Sequence, residues 1–244
     1  MEWQDQAIVL SATRLGEADA ILEVMTINHG RSRGFMKGGF GRRNRANLQA
    51  GNHLQVTWRS RLETNLGRFT VELLHSPLGQ MIGSGAKLSA LAAVTSVVAT
   101  TMPENEVHES AHAGLLAFIE LLEQEGGSPT IWASALARLE LGILSELGYG
   151  LDLRKCAVMG TIEDLTFVSP KSGCAVCTAA AQPYKAKLLS LPAFLLGKNA
   201  ELPTMDAAAE GLKLTGYFLE RHVWQVAGKG QPAARERLFS SLFR

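Results

Sequence analysis

The first 75 or so residues hold five short apolar runs, AIVLSAT, AILEVMT, RGFMKG, HLQVTWRSRL and FTVELL, separated by glycine-bearing breaks. Runs of this length between turn residues read as β-strands. In HLQVTWRSRL the alternation is explicit: Leu54, Val56 and Trp58 fall on one face, and Gln55, Thr57, Arg59 and Arg61 on the other. One face is core and the other is wet. Five antiparallel strands in so short a stretch cannot leave long edges exposed, so a small, partly closed barrel of the OB type is the economical arrangement, with an SH3-like barrel as the alternative.

From Ser84 the pattern changes to helical spacing. WASALARLELGILSEL places Leu136, Leu139, Ile143 and Leu147 along one helix face, with Gly148 as a stop. AAAEGLKLTGYFLERHVWQV and PAARERLFSSLF predict two more helices, the second opened by Pro232 in its first turn. Between the first of these three helices and the second lies an irregular segment, with a strand-like LTFVS and the turn SPKSG, that holds all three cysteines. The expected class is therefore α+β. A five-stranded OB-fold barrel over residues 1–78 precedes a mostly helical domain over 79–244, with a degenerate zinc-finger-like segment at about 152–184.

The whole chain carries a net charge of only +1, but the charge is unevenly spread. From Arg31 to Arg68, nine basic residues (Arg31, Arg33, Lys37, Arg42, Arg43, Arg45, Arg59, Arg61 and Arg68) face one acid, Glu63. That balance of +8 leaves −7 for the rest. Such asymmetry focuses a positive field on one region and suits a polyanionic partner.

HGRSRGFMKGGFGRRNR, residues 29–45, concentrates this charge among glycines. A disordered basic tail does not fit, because the stretch is internal and interrupted by Phe35 and Met36. A phosphate cradle lacks its spacing: Asn44 stands where the dinucleotide fingerprint needs a third small residue, and KGGFGRR is not a Walker loop. The remaining reading is a loop between strands. Its glycines let the backbone approach a ligand closely, while Arg42, Arg43 and Arg45 neutralise phosphates. Two readings of Phe40 stay open, a stacking platform for an unpaired base and a residue tucked into the core.

No catalytic pattern emerges. The histidines, His29, His53, His75, His108, His112 and His222, form no metal or general-base motif. GSGA at Gly83 is not a nucleophile elbow, because Ile82 replaces the first glycine. Pairs such as Glu104 with Glu106, or Glu120 with Glu123, read as solvated helix faces. Cys177 lacks a base to activate it. The longest weakly polar run, LSALAAVTSVVAT, is far shorter than the roughly 20 residues that span a bilayer. The acidic MEWQDQ start is unlike a signal peptide, and three cysteines make no disulfide framework. The expected location is a reducing cytoplasm.

MEWQDQAIVLSATRLGEADAILEVMTINHGRSRGFMKGG, NHLQVTWRSRLETNLG, LARLELGILSELGYGLDLRKCAVMG and FVSPKSGCAVC, in that order over nearly the whole chain, resemble the RecO family of DNA repair proteins. The resemblance implies an N-terminal OB-fold and a helical C-terminal domain. It further implies a non-enzymatic recombination mediator, associated with the nucleoid, that binds single- and double-stranded DNA and anneals complementary strands. The implied partners are RecR, the C-terminal tail of single-strand-binding protein and, indirectly, RecA. An RNA-binding OB protein, or a nucleic-acid-modifying enzyme with an accessory OB module, are the alternatives. For the tail, Lys185, Lys187, Arg221, Arg235 and Arg237 are candidate cations.

Some members of that family carry a four-cysteine zinc motif where this chain has Cys156, Cys174 and Cys177. The fourth position is Met159. Structural zinc wants four ligands, and no histidine lies within or close to this segment in sequence, so the expectation is no cofactor and small buried thiols instead.

Overall fold

The five N-terminal runs form five strands in the computed structural model, which describes residues 1–62, 66–197 and 202–241. They are β1 (Glu2–Leu15), β2 (Asp19–Thr26), β3 (Arg31–Met36), β4 (His53–Arg59) and β5 (Gly67–His75). They close in the order β1-β2-β3-β5-β4, with β4 returning to β1. This is an OB-fold barrel rather than the SH3-like alternative. β1 serves two neighbours because a bulge between Val9 and Ser11 bends it. Its first half pairs with β4, from Glu2↔Arg59 to Ile8↔His53, and its second half runs along β2 as far as Leu15↔Asp19.

Leu54, Val56 and Trp58 point inward as their alternation requires, joining Val9, Leu22, Val24 and Phe69 in the barrel core. The barrel closes where β3 meets β5 in parallel, at Gly34↔Gly67. A Cβ on Gly34 would come within 2.6 Å of the Phe69 ring, and one on Gly67 would overlap the Trp58 indole. The seam shuts because neither residue has a side chain. The expectation that these glycines admit a ligand is thus corrected at Gly34, whose close neighbour is the protein's own core.

The first compact unit runs from Met1 to Gly126 and includes two helices, α1 (Gly85–Thr101) and α2 (Glu109–Glu123). Ser84 caps α1 by accepting the Lys87 amide, and α1 packs against β1. Asp5 is almost wholly buried and accepts hydrogen bonds from the Gln6 and Asn28 amides, the Asn28 side chain and His29 Nδ1. The His29 ring stacks on Trp3 at 4.1 Å. Burial alone would push the Asp5 carboxyl up, but these donors together hold it below its ordinary value.

The second unit, Gly127–Arg244, holds α3 (Pro129–Glu146), a three-stranded sheet, a short α4 (Thr178–Ala181), α5 (Met205–Leu219) and α6 (Ala233–Ser241). The sheet has order β7-β6-β8, from β6 (Leu165–Val168), β7 (Ala175–Cys177) and β8 (Leu189–Ser190). Leu136, Leu139 and Ile143 are buried on α3 as their spacing demands, and Gly148 takes the left-handed φ of +82° just beyond it. Leu242 and Phe243 of the last predicted helix lie outside the described residues. The cysteine segment is more regular than its sequence suggests, because β6 and β7 pair within it and β8, from just beyond it, pairs with the other edge of β6.

α6 is held by a buried ion pair. Arg235, 3% exposed, donates from Nε and Nη2 to the two Glu140 oxygens at 2.6 and 2.9 Å, and Thr215 donates to the same carboxylate. This placement corrects Arg235 as a candidate partner-binding cation: its charge is satisfied inside the unit. Lys185, Lys187, Arg221 and Arg237 remain exposed.

Candidate nucleic-acid interface

The connection from Met36 to His53 is a chain of turns rather than a strand or helix. It is pinned from within. Leu48 is buried in the barrel core, and the buried Asn52 side chain donates to the Ala46 and Asn47 carbonyls. At its start, Gly38 donates to Asp19 Oδ1 and Phe40 donates to the Ala18 carbonyl, both in or beside the β1–β2 turn. With the apolar and amide groups turned inward, Lys37, Arg42, Arg43 and Arg45 are left exposed.

Phe40 follows the inward group. Its ring packs against the barrel core, and the Arg14 guanidinium lies over it at 4.6 Å. Of the two readings, this placement is that of a loop anchor. Arg14 belongs to the same surface although it lies outside the basic stretch, because the β1–β2 hairpin carries it there.

The remaining cations divide by what the fold sets beside them. Arg31 is mostly buried, pairs with Glu23 and Glu104, and donates from Nε to the Met102 carbonyl. Arg33 reaches Glu104 at 3.3 Å. Arg59 donates to Glu2 at 2.7 Å, a hydrogen bond that holds the Glu2 carboxyl below its ordinary value. Lys37, Arg42, Arg43, Arg45, Arg61 and Arg68 have no carboxylate within 4 Å among the described residues. Glu63, the one acid of the stretch, lies outside the described residues. Counting charge along the chain therefore overstated the field: Glu2, Glu23 and Glu104 come from outside the window and neutralise part of it.

Strand register adds an aromatic that the sequence reading passed over. β3 alternates with Ser32, Gly34 and Met36 inward, so Arg31, Arg33 and Phe35 face out. Phe35 sits opposite Ile21 on β2 and Arg68 on β5, and Arg68 sits opposite Arg59 on β4. The half-exposed Phe35 ring has the Arg68 guanidinium 5.6 Å from its centroid. The period-two pattern of RSRGFM already marks Phe35 as outward. It is on the β2–β3 face, the face from which OB-folds bind oligonucleotides. Chemically, the surface offers an apolar ring beside exposed cations, able to stack an unpaired base and neutralise its phosphates.

The cysteines do not form a four-ligand centre. Cys156 Sγ accepts amide hydrogens from Cys177 and Met159, while Cys174 is turned away, its thiol donating to the Ser172 carbonyl at 3.6 Å. Among the described residues no group of three or more His, Cys, Asp or Glu is arranged to hold a metal ion. Burial pushes the Cys156 thiol up, but the converging hydrogen-bond donors outweigh it and bring it down to about 7. No helix among the described residues is long and apolar enough to cross a membrane.

Comparison with known proteins agrees along the whole chain. Residues 1–77 match the family described as Recombination protein O N terminal, and residues 83–227 match Recombination protein O C terminal. Similar curated proteins include the DNA repair protein RecO of Rhodospirillum rubrum, 44% identical over 100% of this chain and 97% of its own length. Those of Methylobacterium nodulans and Hyphomonas neptunium are 41% and 40% identical, each over 99% of this chain and 98% of theirs.

Proposed function

We propose that this chain, which belongs to the RecO family of DNA repair proteins, acts in DNA repair by binding single- and double-stranded DNA on the outer face of its barrel and annealing complementary strands without nucleotide hydrolysis. The observation that carries the reading is the loop after β3, which anchors itself by Leu48, Phe40 and Asn52 and holds Lys37, Arg42, Arg43 and Arg45 out in solvent, free of carboxylate partners among the described residues.

The obstacle to annealing is repulsion between two polyanions. A surface with several unpaired cations lowers it by bringing both strands together. Phe35 contributes stacking that leaves the hydrogen-bonding edges of a base free. Once bases pair they leave the ring, and only salt-sensitive phosphate contacts retain the duplex, so product release needs no energy source.

The proposal extends to partners implied by the family resemblance: RecR, the acidic tail of single-strand-binding protein and, through them, loading of RecA. The exposed Lys185, Lys187, Arg221 and Arg237 supply cations for an acidic tail.

The test is a fluorescence-quench annealing assay at two salt concentrations, with bare strands and strands coated by single-strand-binding protein. Acceleration without ATP, reduced at high salt and reduced in Arg42/Arg43/Arg45→Ala, is expected. Annealing by the triple variant at the wild-type rate, or acceleration only when ATP is added, overturns the proposal.

A further inference from the structure

The turn after α3 and the strand β7 bring two cysteines together in a way that neither the DNA surface nor a metal site uses. Cys156 is 1% exposed and Cys177 3% exposed. Two backbone amides converge on Cys156 Sγ, Cys177 at 3.3 Å and Met159 at 3.4 Å, and the Val158 amide acts in the same direction on its thiol. The Cys177 side chain also helps hold the Cys156 thiol down, while its own thiol donates to Met159 Sδ at 3.5 Å. Amides converging on one atom form a nest for negative charge, and on sulfur that charge is the thiolate, the nucleophilic form. The donor set thus singles out Cys156 as the attacking sulfur and places a proton-bearing thiol beside it.

Solvent is one side chain away. Met159, 61% exposed, lies with its Sδ 3.5 Å from Cys177 Sγ. A molecule as small as hydrogen peroxide reaches the pair when that unbranched side chain swings aside. Cys174 takes no part, because its thiol is directed at the Ser172 carbonyl.

We propose that Cys156 and Cys177 form a peroxide-responsive dithiol, whose oxidation to a disulfide ties the 154–160 turn covalently to β7. The Cys156 thiolate attacks one oxygen of a hydroperoxide, the O–O bond breaks, and the leaving hydroxide takes up a proton to become water. Cys156 is then a sulfenic acid. The Cys177 sulfur attacks Cys156 Sγ, the S–O bond breaks, and the hydroxyl leaves as a second water with the Cys177 proton. In balance, two thiols and one hydrogen peroxide give one disulfide and two waters. Reduction by an external thiol restores the dithiol.

The experiment treats the reduced full-length protein with a small excess of hydrogen peroxide, blocks residual thiols by alkylation and maps peptides by mass spectrometry. The expected product is a Cys156–Cys177 cross-link, lighter by two hydrogens and lost on treatment with dithiothreitol. Cys174→Ser forms it as wild type does. Cys177→Ser instead accumulates a sulfenic acid at Cys156, trapped by dimedone. The mapping of wild type does not depend on any variant folding. A pair that stays reduced under peroxide doses that oxidise the urea-unfolded chain overturns the proposal. So does a disulfide that includes Cys174, or Met159 sulfoxide as the sole product.

Discussion

Replacing Arg42, Arg43 and Arg45 together by alanine tests the DNA surface most directly, because the size of the effect follows from their surroundings. All three are exposed and have no carboxylate within 4 Å among the described residues, so each is free to displace a counterion from a phosphate. Each such contact contributes about 0.7 to the slope of log K against log salt for single strands and about 0.9 for duplex. Losing three should flatten the slope by about 2 for single strands and about 2.7 for duplex. Between about 50 and 200 mM salt, the gap between wild type and variant on single strands should then narrow by about 16-fold. Arg31→Ala is the internal control. That guanidinium is spent on Glu23, Glu104 and the Met102 carbonyl, so its loss should lower stability and leave the slope unchanged. Fluorescence anisotropy of labelled oligonucleotides over four or so salt concentrations measures the slopes, and circular dichroism verifies the fold. An unchanged slope in a folded triple variant refutes the assignment, as does an equal flattening in Arg31→Ala.

Phe35→Ala should weaken binding of single strands by about 1–3 kcal/mol and of duplex much less, since only unpaired bases stack. Phe40→Ala should act mainly on thermal stability, and a larger loss of single-strand affinity there would reverse the two roles. Gly67→Ala should cost about 1–3 kcal/mol in urea unfolding, because its Cβ would overlap the Trp58 indole at the barrel seam. Arg235→Ala leaves the Glu140 carboxylate buried without its partner and should cost about 3–5 kcal/mol by the same measurement. Burial holds His53 and His112 below the ordinary 6.5, so the unfolded chain binds protons first and stability should fall as pH drops through about that value. Asp5, depressed below 3.8, adds a second loss under more acid conditions, and His112→Gln should remove part of the first step only. Elemental analysis should find no stoichiometric zinc, given Met159 in the fourth position and Cys174 turned away; one zinc per chain would count against that reading.

Much of the fold was legible because it rests on local rules. Five strands followed from alternation and glycine breaks, and the burial of Leu136, Leu139 and Ile143 followed from helical spacing. The outward direction of Phe35 was also legible, in RSRGFM, but the glycine-flanked Phe40 drew attention instead. Of the small sheet, β6 was legible in LTFVS, but β7 and β8 were not, because they are too short, at Ala175–Cys177 and Leu189–Ser190, to carry a period.

The sequence by itself determined which residues can face water and which cannot, since side-chain direction in a strand or helix repeats with the backbone. It also determined that one region is rich in arginine. Only the tertiary structure decided which of those arginines are free. Glu2, Glu23 and Glu104 reach Arg59, Arg31 and Arg33 through strand pairing and chain folding, and no window along the chain contains those distances. The same holds for Cys156 and Cys177. Coulombic and hydrogen-bond energies depend on separation in space, and separation in sequence does not fix it.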